Sequence, residues 1–553
     1  VLRGRAALLR AWVVGGRQGV SPETRGAILS RVMLAFEGEV LPEDVARRLA
    51  GGPAAGVTLF RHYNVRTPGQ VRELTEAVQA AARAGSLASS PVLIGADQEG
   101  GQFIGLGDGS TPFAGNMALG AVDDESLTER VGRAIGVEAR AMGVNVVYAP
   151  VLDIASNPSN PALGIRAFGD DPTLVARHGA AMVRGLQSAG VAATVKHAPG
   201  AGEAAADPHH GLATVGASRP ILDAREFVPF HAAFAAGARL AMSAHVALPA
   251  VTDRDDLPST LSRAVMTDLL RRDLGFEGVT ISDALDMGAL AQGPDQVVDV
   301  VAAVRAGVDL LLCAADPDAI ERIERTLVQA ADRGLFDGAE LAGTERRVAA
   351  LRSWLGSAGP APDLAVVGGA EHRTLAAELA ARSITLVRDP AALLPVRWGA
   401  HRRILAVMPR PSDLTPADTS STVAPALAAA LRRYHADVDE VVVEPEPNAA
   451  DIAAVRDRAH AADLAVIGTI DGHRLRSQLD LVDAVASTGR PTIAVALRSP
   501  WDVAAYPAGV TALATYSILP GSLEALAAVL AGEAGAPGRL PVSLGHAAVL
   551  ADA

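Results

Sequence analysis

The sequence predicts an α/β fold class, a (β/α)8 TIM-like barrel followed by an α/β/α sandwich domain. Short aliphatic runs rich in β-branched residues recur along the chain, and segments of helical length and period separate them. A stretch rich in Gly, Pro and Ala then divides the runs into two series. In order, the first series is Val32 to Phe36, Val57 to Phe60, Val92 to Ala96, Val144 to Val151, Val191 to Val195, Leu240 to Ala244, Val279 to Ser282 and Val308 to Cys313. Eight such runs match the strand count of a closed parallel barrel. Their hydrophobicity is continuous rather than alternating, as expected of strands buried on both faces. The spacers Pro68 to Ala84 and Asp171 to Ala189 are long enough for crossover helices.

The stretch GSAGPAPDLAVVGG at 356 to 369 breaks this rhythm. Beyond it the runs Ile384 to Val387, Ile404 to Met408, Val441 to Val443, Leu464 to Ile467, Thr492 to Leu497 and Val510 to Thr515 alternate with Ala-rich helical segments, which predicts a second, open sheet. The expected division is an N-terminal extension over 1–20, the barrel over 21–355, a linker over 356–370 and the sandwich over 371–553.

Composition narrows the function classes. The chain has 553 residues, too many for one core, and 49% are hydrophobic while only 3% are aromatic, so aliphatic packing must carry both domains. The formal charge is -13 with no basic run, which argues against nucleic acid as a partner. Cys313 is the single cysteine, so no internal disulfide can form, and its apolar run reads as a buried structural thiol. At the N-terminus, VLRGRAALLRAWVVGG resembles a leader superficially, but Arg10 interrupts its apolar patch, and it reads as an extension or helix. No stretch approaches the ~18 apolar residues of a membrane span. The expectation is a cytoplasmic protein, or a secreted one if a leader has been removed, acting as a monomer or homodimer.

In a parallel barrel, chemistry gathers at the C-terminal strand ends. The polar residues that follow the runs are Arg61, Asp97, Asp153 with Arg166 in its loop, Lys196 and His197 with Asp207, His209 and His210 beyond, Ser243 and His245, and Ser282, Asp283 and Asp286. Asp283 directly follows a buried strand and has no basic neighbour in sequence, so it suits a nucleophile; a helix cap is the other reading. Asp207 and His209 are separated by Pro208. The carboxylate can accept one ring N–H, fix the tautomer and leave the other nitrogen to exchange a proton with substrate. A metal site from Asp207, His209, His210 and His197, or a merely solvated loop end, remain alternatives on spacing alone. The run IGLGDG lacks dinucleotide-binding spacing, and no phosphate-binding loop or serine elbow occurs.

Several longer strings go further. DQEGG (97–101), MALGA (117–121), APVLDIASNPSNP with the later GIRAFGDDP, KHAPG (196–200), PSTLSRAVMTDLLRRDLGFEGVTISDALDM and AVRAGVDLLL resemble glycoside hydrolase family 3, in its β-N-acetylglucosaminidase branch. SITLVRD, RPTIAVALRSPWDVAAYP and GAPGRLPVSL resemble the second domain of its two-domain members. The resemblance implies Asp283 as nucleophile, His209 as acid/base paired with Asp207, and Asp97, Arg166, Lys196 and His197 as sugar-binding residues. It implies a small carbohydrate substrate, release of terminal β-linked N-acetylglucosamine with retention, and neither cofactor nor metal. Phosphorolysis by the same site, β-glucosidase activity and a non-catalytic sugar-binding protein are the competing readings. Against the branch pattern KHFPGHGDTxxDSH, this chain carries Ala198, Ala201, Glu203, Ala204 and Pro208 at the Phe, His, Asp, Thr and Ser positions, and Gln102 where Arg is common. The bare Gly/Ala run is expected to act as a mobile tether for His209, with His210 a bystander.

Overall fold

A computed structural model describes residues 21–51, 54–85, 90–400 and 403–545. The expected extension over 1–20 lies outside the described residues. Eight parallel strands follow one another: β1 (Val32–Leu34), β2 (Gly56–Leu59), β3 (Leu93–Ala96), β4 (Val146–Val147), β5 (Ala192–Ala198), β6 (Leu240–Ser243), β7 (Val279–Ser282) and β8 (Leu311–Leu312). Each pairs with its successor, β8 pairs with β1, and a parallel bridge between Ile281 and Leu310 closes the ring. The interior is filled by Met33, Leu93, Val146, Tyr148, Met242 and Ile281, so it is a packed core and not a pore.

The crossover helices begin where the sequence supplies both a cap and a fixed φ. Thr67, Asp171 and Asp316 each accept backbone N–H groups of the first turn and each precede a proline, at Pro68, Pro172 and Pro317. Each cap ends a loop that leaves the C-terminal end of a strand, so it fixes where that loop stops and the helix begins.

The closing seam is ionic. Asp309, fully buried just before β8, accepts from Arg271 at 2.6 Å, from Thr344 at 2.6 Å, from Arg347 Nε at 3.0 Å and from the Thr280 N–H of β7 at 2.9 Å. Burial pushes its carboxyl up, but Arg347 and Arg271 outweigh that and hold it below the ordinary value. Asp309→Ala leaves both guanidiniums facing the core without their anion and is expected to destabilise the protein by ~3–5 kcal/mol, read as a lower midpoint in denaturant unfolding.

The second sheet has six strands: β9 (Thr385–Arg388), β10 (Ile404–Pro409), β11 (Val438–Val443), β12 (Leu464–Thr469), β13 (Thr492–Ala496) and β14 (Thr511–Ala514). Their order is β9-β14-β13-β12-β10-β11, parallel except for β9, which runs antiparallel along one edge. Helices flank it to give the α/β sandwich, which meets the barrel at its loop face. Thr419 donates its backbone N–H to Gln102 O at 2.8 Å, Ile104 N–H donates to Thr419 Oγ1 at 3.2 Å, and His473 Nε2 lies 3.1 Å from Pro158 O.

Candidate active site

The floor of the site is an ion network at the ends of β3 and β5. Lys196, almost fully buried, donates to Asp97 Oδ1 at 2.6 Å and meets Glu99 Oε1 at 2.6 Å. Arg166, delivered by the long loop after β4, grips Glu99 with two parallel bonds of 2.9 and 2.8 Å and lies 4.1 Å from the Phe103 ring centre. Burial raises the Glu99 carboxyl, yet Arg166 and Lys196 together bring it down to about 2. Glu99 was not singled out in the sequence. The available signal is that Asp97 and Glu99 are two residues apart in extended chain, which puts them on the same side.

His197 stands next to this network. Its Nδ1 lies 2.6 Å from Asp153 Oδ2, while its Nε2 lies 3.5 Å from Arg166 and 3.9 Å from Asp283 Oδ2. Asp153, named only as a strand-end residue, thus orients the ring, and its other oxygen accepts from the Ala201 N–H at 2.7 Å.

Asp283 extends from the end of β7. No helix begins there: turns run from Asp283 to Leu290, and the next α-helix is Gln296–Ala306, so the cap reading has nothing to cap. One oxygen accepts the Ala284 N–H at 2.8 Å. Burial raises its carboxyl, but the His197 and His245 rings, that N–H and Lys196 hold it below the usual aspartate value. His245 is itself buried, with Nδ1 2.7 Å from Thr260 Oγ1 and Nε2 3.2 Å from Ala284 O, and burial lowers its pKa. It braces the backbone beside Asp283, a role that position in sequence did not reveal.

The loop after β5 brings His209 over this floor. His209 Nδ1 donates to Asp207 Oδ1 at 2.7 Å, and the same oxygen accepts the His209 backbone N–H at 2.9 Å. Burial lowers the imidazole, but the bond to Asp207 and the Asp207 and Asp283 charges raise it above the ordinary histidine value. His210 is exposed.

This loop is an anchored arch rather than a bare tether. Asn160 Nδ2 donates to Ala201 O and Gly202 O, and Asn157 Nδ2 to Glu203 O and Ala204 O. Arg225 binds Glu203, the residue at the family's Asp position. On the far side, Gly288 N–H donates to His209 O at 2.9 Å and Ala289 N–H to Pro208 O at 3.0 Å. The smallness of the loop serves close approach: a Cβ on Gly202 would fall 1.8 Å from Ile154 O, and one on Gly288 would fall 2.8 Å from His209 O.

A cavity open to solvent joins Arg166, His197, His209 and Asp283, with Asp153, Asn160 and His245 also on its wall. Asp207, Asp97 and Lys196 stand behind these side chains. Among the described residues no three His, Cys, Asp or Glu side chains are placed to hold a metal ion together, so the nominal set of Asp207, His209, His210 and His197 is not brought together. Among the described residues, no helix is long and apolar enough to cross a membrane.

Residues 31–351 match the family model described as the glycosyl hydrolase family 3 N terminal domain. A beta-hexosaminidase A from Pseudoalteromonas piscicida is 29% identical, over 92% of this chain and 92% of its own. A beta-N-acetylglucosaminidase/beta-glucosidase from Cellulomonas fimi is 31% identical, over 83% of this chain and 84% of its own. Among solved structures, a family 3 beta-N-acetylglucosaminidase from a Paenibacillus species superposes with a TM-score of 0.88 at 33% identity, covering 95% of this chain and 99% of that one. With the family model spanning more than half of its length, the chain belongs to glycoside hydrolase family 3 and is a glycoside hydrolase.

Proposed function

We propose that the protein is a retaining exo-β-N-acetylglucosaminidase acting on terminal β-linked N-acetylglucosamine, as in cell-wall fragments or chitin oligomers. The observation that carries this reading is the shared cavity of Asp283 and His209, where the carboxyl is held below the usual aspartate value and the imidazole is raised above the ordinary histidine value. The similar hexosaminidases and N-acetylglucosaminidases support the choice of sugar.

In this reading catalysis belongs to the barrel over 21–355. Arg166 and His197, backed by Asp97 and Lys196, hold the ring hydroxyls. The Asp283 carboxylate attacks the anomeric carbon as the glycosidic C–O bond breaks, and His209 Nε2–H gives its proton to the departing oxygen. Water then attacks the same carbon and gives a proton to Nε2 while the bond to Asp283 breaks, so configuration is retained. Asp207 fixes the ring so that Nε2 faces the substrate, and it favours the imidazolium that begins the first step and is re-formed in the second.

The pH dependence follows from the two groups. Asp283 must be ionised, and its lowered pKa delays the loss of activity on the acid side to below about 3.9. His209 must carry its proton for the first step, and its raised pKa keeps activity up to a pH above about 6.5 before an alkaline decline. A pH profile of kcat/KM with a poorly activated substrate is expected to show a plateau between these limits. An alkaline limb at or below the ordinary histidine value would contradict the dyad.

The same intermediate could pass its sugar to phosphate, because an imidazole acid/base, unlike a carboxylate, does not repel an incoming anion. A panel of aryl glycosides with and without phosphate tests sugar and acceptor together. N-acetylglucosaminide turnover giving free sugar in both buffers is expected; sugar-1-phosphate as the main product would make the enzyme a phosphorylase, and preference for glucosides would change the substrate.

A further inference from the structure

The second domain reaches the loop 157–162 beside the site through His473 and Arg474. His473, on the loop after β12, is almost fully buried, with Nδ1 2.9 Å from Asp502 Oδ1 and Nε2 3.1 Å from the Pro158 carbonyl of the barrel. A carboxylate oxygen and a peptide carbonyl can only accept, so both ring nitrogens must carry hydrogen for both bonds to exist. The ring that satisfies this geometry is an imidazolium.

Its surroundings are built to keep that charge. Asp502 also accepts from Thr469, Gly472 N–H and the His473 backbone N–H, which fixes the carboxylate, and Tyr506 bonds Thr469 behind it. The other charged groups around the ring are Asp471, which is tied to Arg498 and Ser499, and Arg474, which reaches Pro161 O. The Trp501 ring lies 5.7 Å away, and from the barrel side the facing group is the uncharged Pro158 carbonyl. Burial lowers the ring's pKa, but Asp502 and then Asp471 raise it above the ordinary value.

From Pro158 the path into the site is short. Asn160 N–H donates to Asn157 O at 3.0 Å, and the Asn160 side chain holds Ala201 O and Gly202 O at 3.0 and 3.1 Å. Asn160 Oδ1 accepts the Ala162 N–H at 3.0 Å, and Ala162 O accepts from Arg166 at 2.9 Å. We propose that His473, as an imidazolium, is a positioning residue for catalysis: from the second domain it sets the loop 157–162, which places Arg166 and the arch carrying His209. The inference rests on the assignment of His209 and Asp283 above.

The test uses the full chain with Asp502→Asn and His473→Gln. Asp502→Asn removes the anion that keeps the ring charged. Its kcat/KM for a disaccharide substrate is expected to fall on the order of tenfold to a hundredfold at pH 8 and to recover at pH 5.5, where the ring regains its proton. His473→Gln is expected to lose a similar factor at every pH, and both variants should lose less on a dinitrophenyl glycoside, which needs little protonation. Wild-type values at all pH, or a pH-independent loss equal on both substrates in Asp502→Asn, would overturn the proposal. If either variant does not fold, ¹⁵N-histidine NMR of the wild-type protein decides it: two protonated nitrogens on His473 at pH 7.5 are expected, and one alone overturns it. Turnover surviving in Asp283→Asn would instead refute the site assignment, whatever His473 does.

Discussion

Replacing Asp283 by Asn is expected to abolish hydrolysis of an aryl N-acetylglucosaminide, by on the order of 10⁴-fold or more. The amide has the size and shape of the carboxylate, and its oxygen can still accept the Ala284 N–H that holds Asp283 at 2.8 Å. What is lost is the charge and the nucleophilic oxygen. His197 Nε2, 3.9 Å away, then faces a neutral group, while Arg166, Lys196 and Glu99 keep their mutual bonds, so sugar affinity should survive where turnover does not. Calorimetry with N-acetylglucosamine beside a kinetic assay separates the two. Turnover within a few-fold of wild type would remove Asp283 from the chemistry.

The second large effect is selective. His209→Ala removes the proton donor and is expected to cost ~10²–10⁴-fold on a disaccharide, whose leaving alkoxide needs protonation. A dinitrophenyl leaving group departs without that help, so formation of the intermediate should be nearly unimpaired. Its hydrolysis still needs a base, so an initial burst followed by slow turnover is expected, and azide, which needs no deprotonation, should speed the slow phase. An equal loss on both substrates with no burst would mean that His209 acts only in binding. Asp207 should give a weaker version of the same pattern, since it acts through the ring it holds at 2.7 Å.

The strands were legible because a buried parallel strand writes itself as a continuous aliphatic run. All eight barrel runs and all six later runs coincide with strands. Strand-end side chains were legible for the same reason, since topology forces Asp97, Lys196, His197 and Asp283 to one face. Glu99 was less so, because its worth depends on two cations, Arg166 and Lys196, 67 and 97 residues further on. Small residues misled most: in the run from Ala198 to Ala206, Gly and Ala look like freedom, but Gly202 is small because Ile154 O occupies the space a side chain would need. The reach of His473 to Pro158, across 315 residues, could not be read at all. Nothing local in either stretch refers to the other.

The chain's single sulfhydryl has a practical consequence. Cys313 is 1% exposed, and burial pushes its thiol up to about 12, so at neutral pH it is both shielded and almost wholly unreactive. Ala205 and Ala206, by contrast, are exposed at the crown of the arch, immediately before Asp207. A cysteine introduced at either position would be the one thiol that a maleimide dye can reach, with no native cysteine to delete first. Fluorescence from that single label would follow the arch through a catalytic cycle.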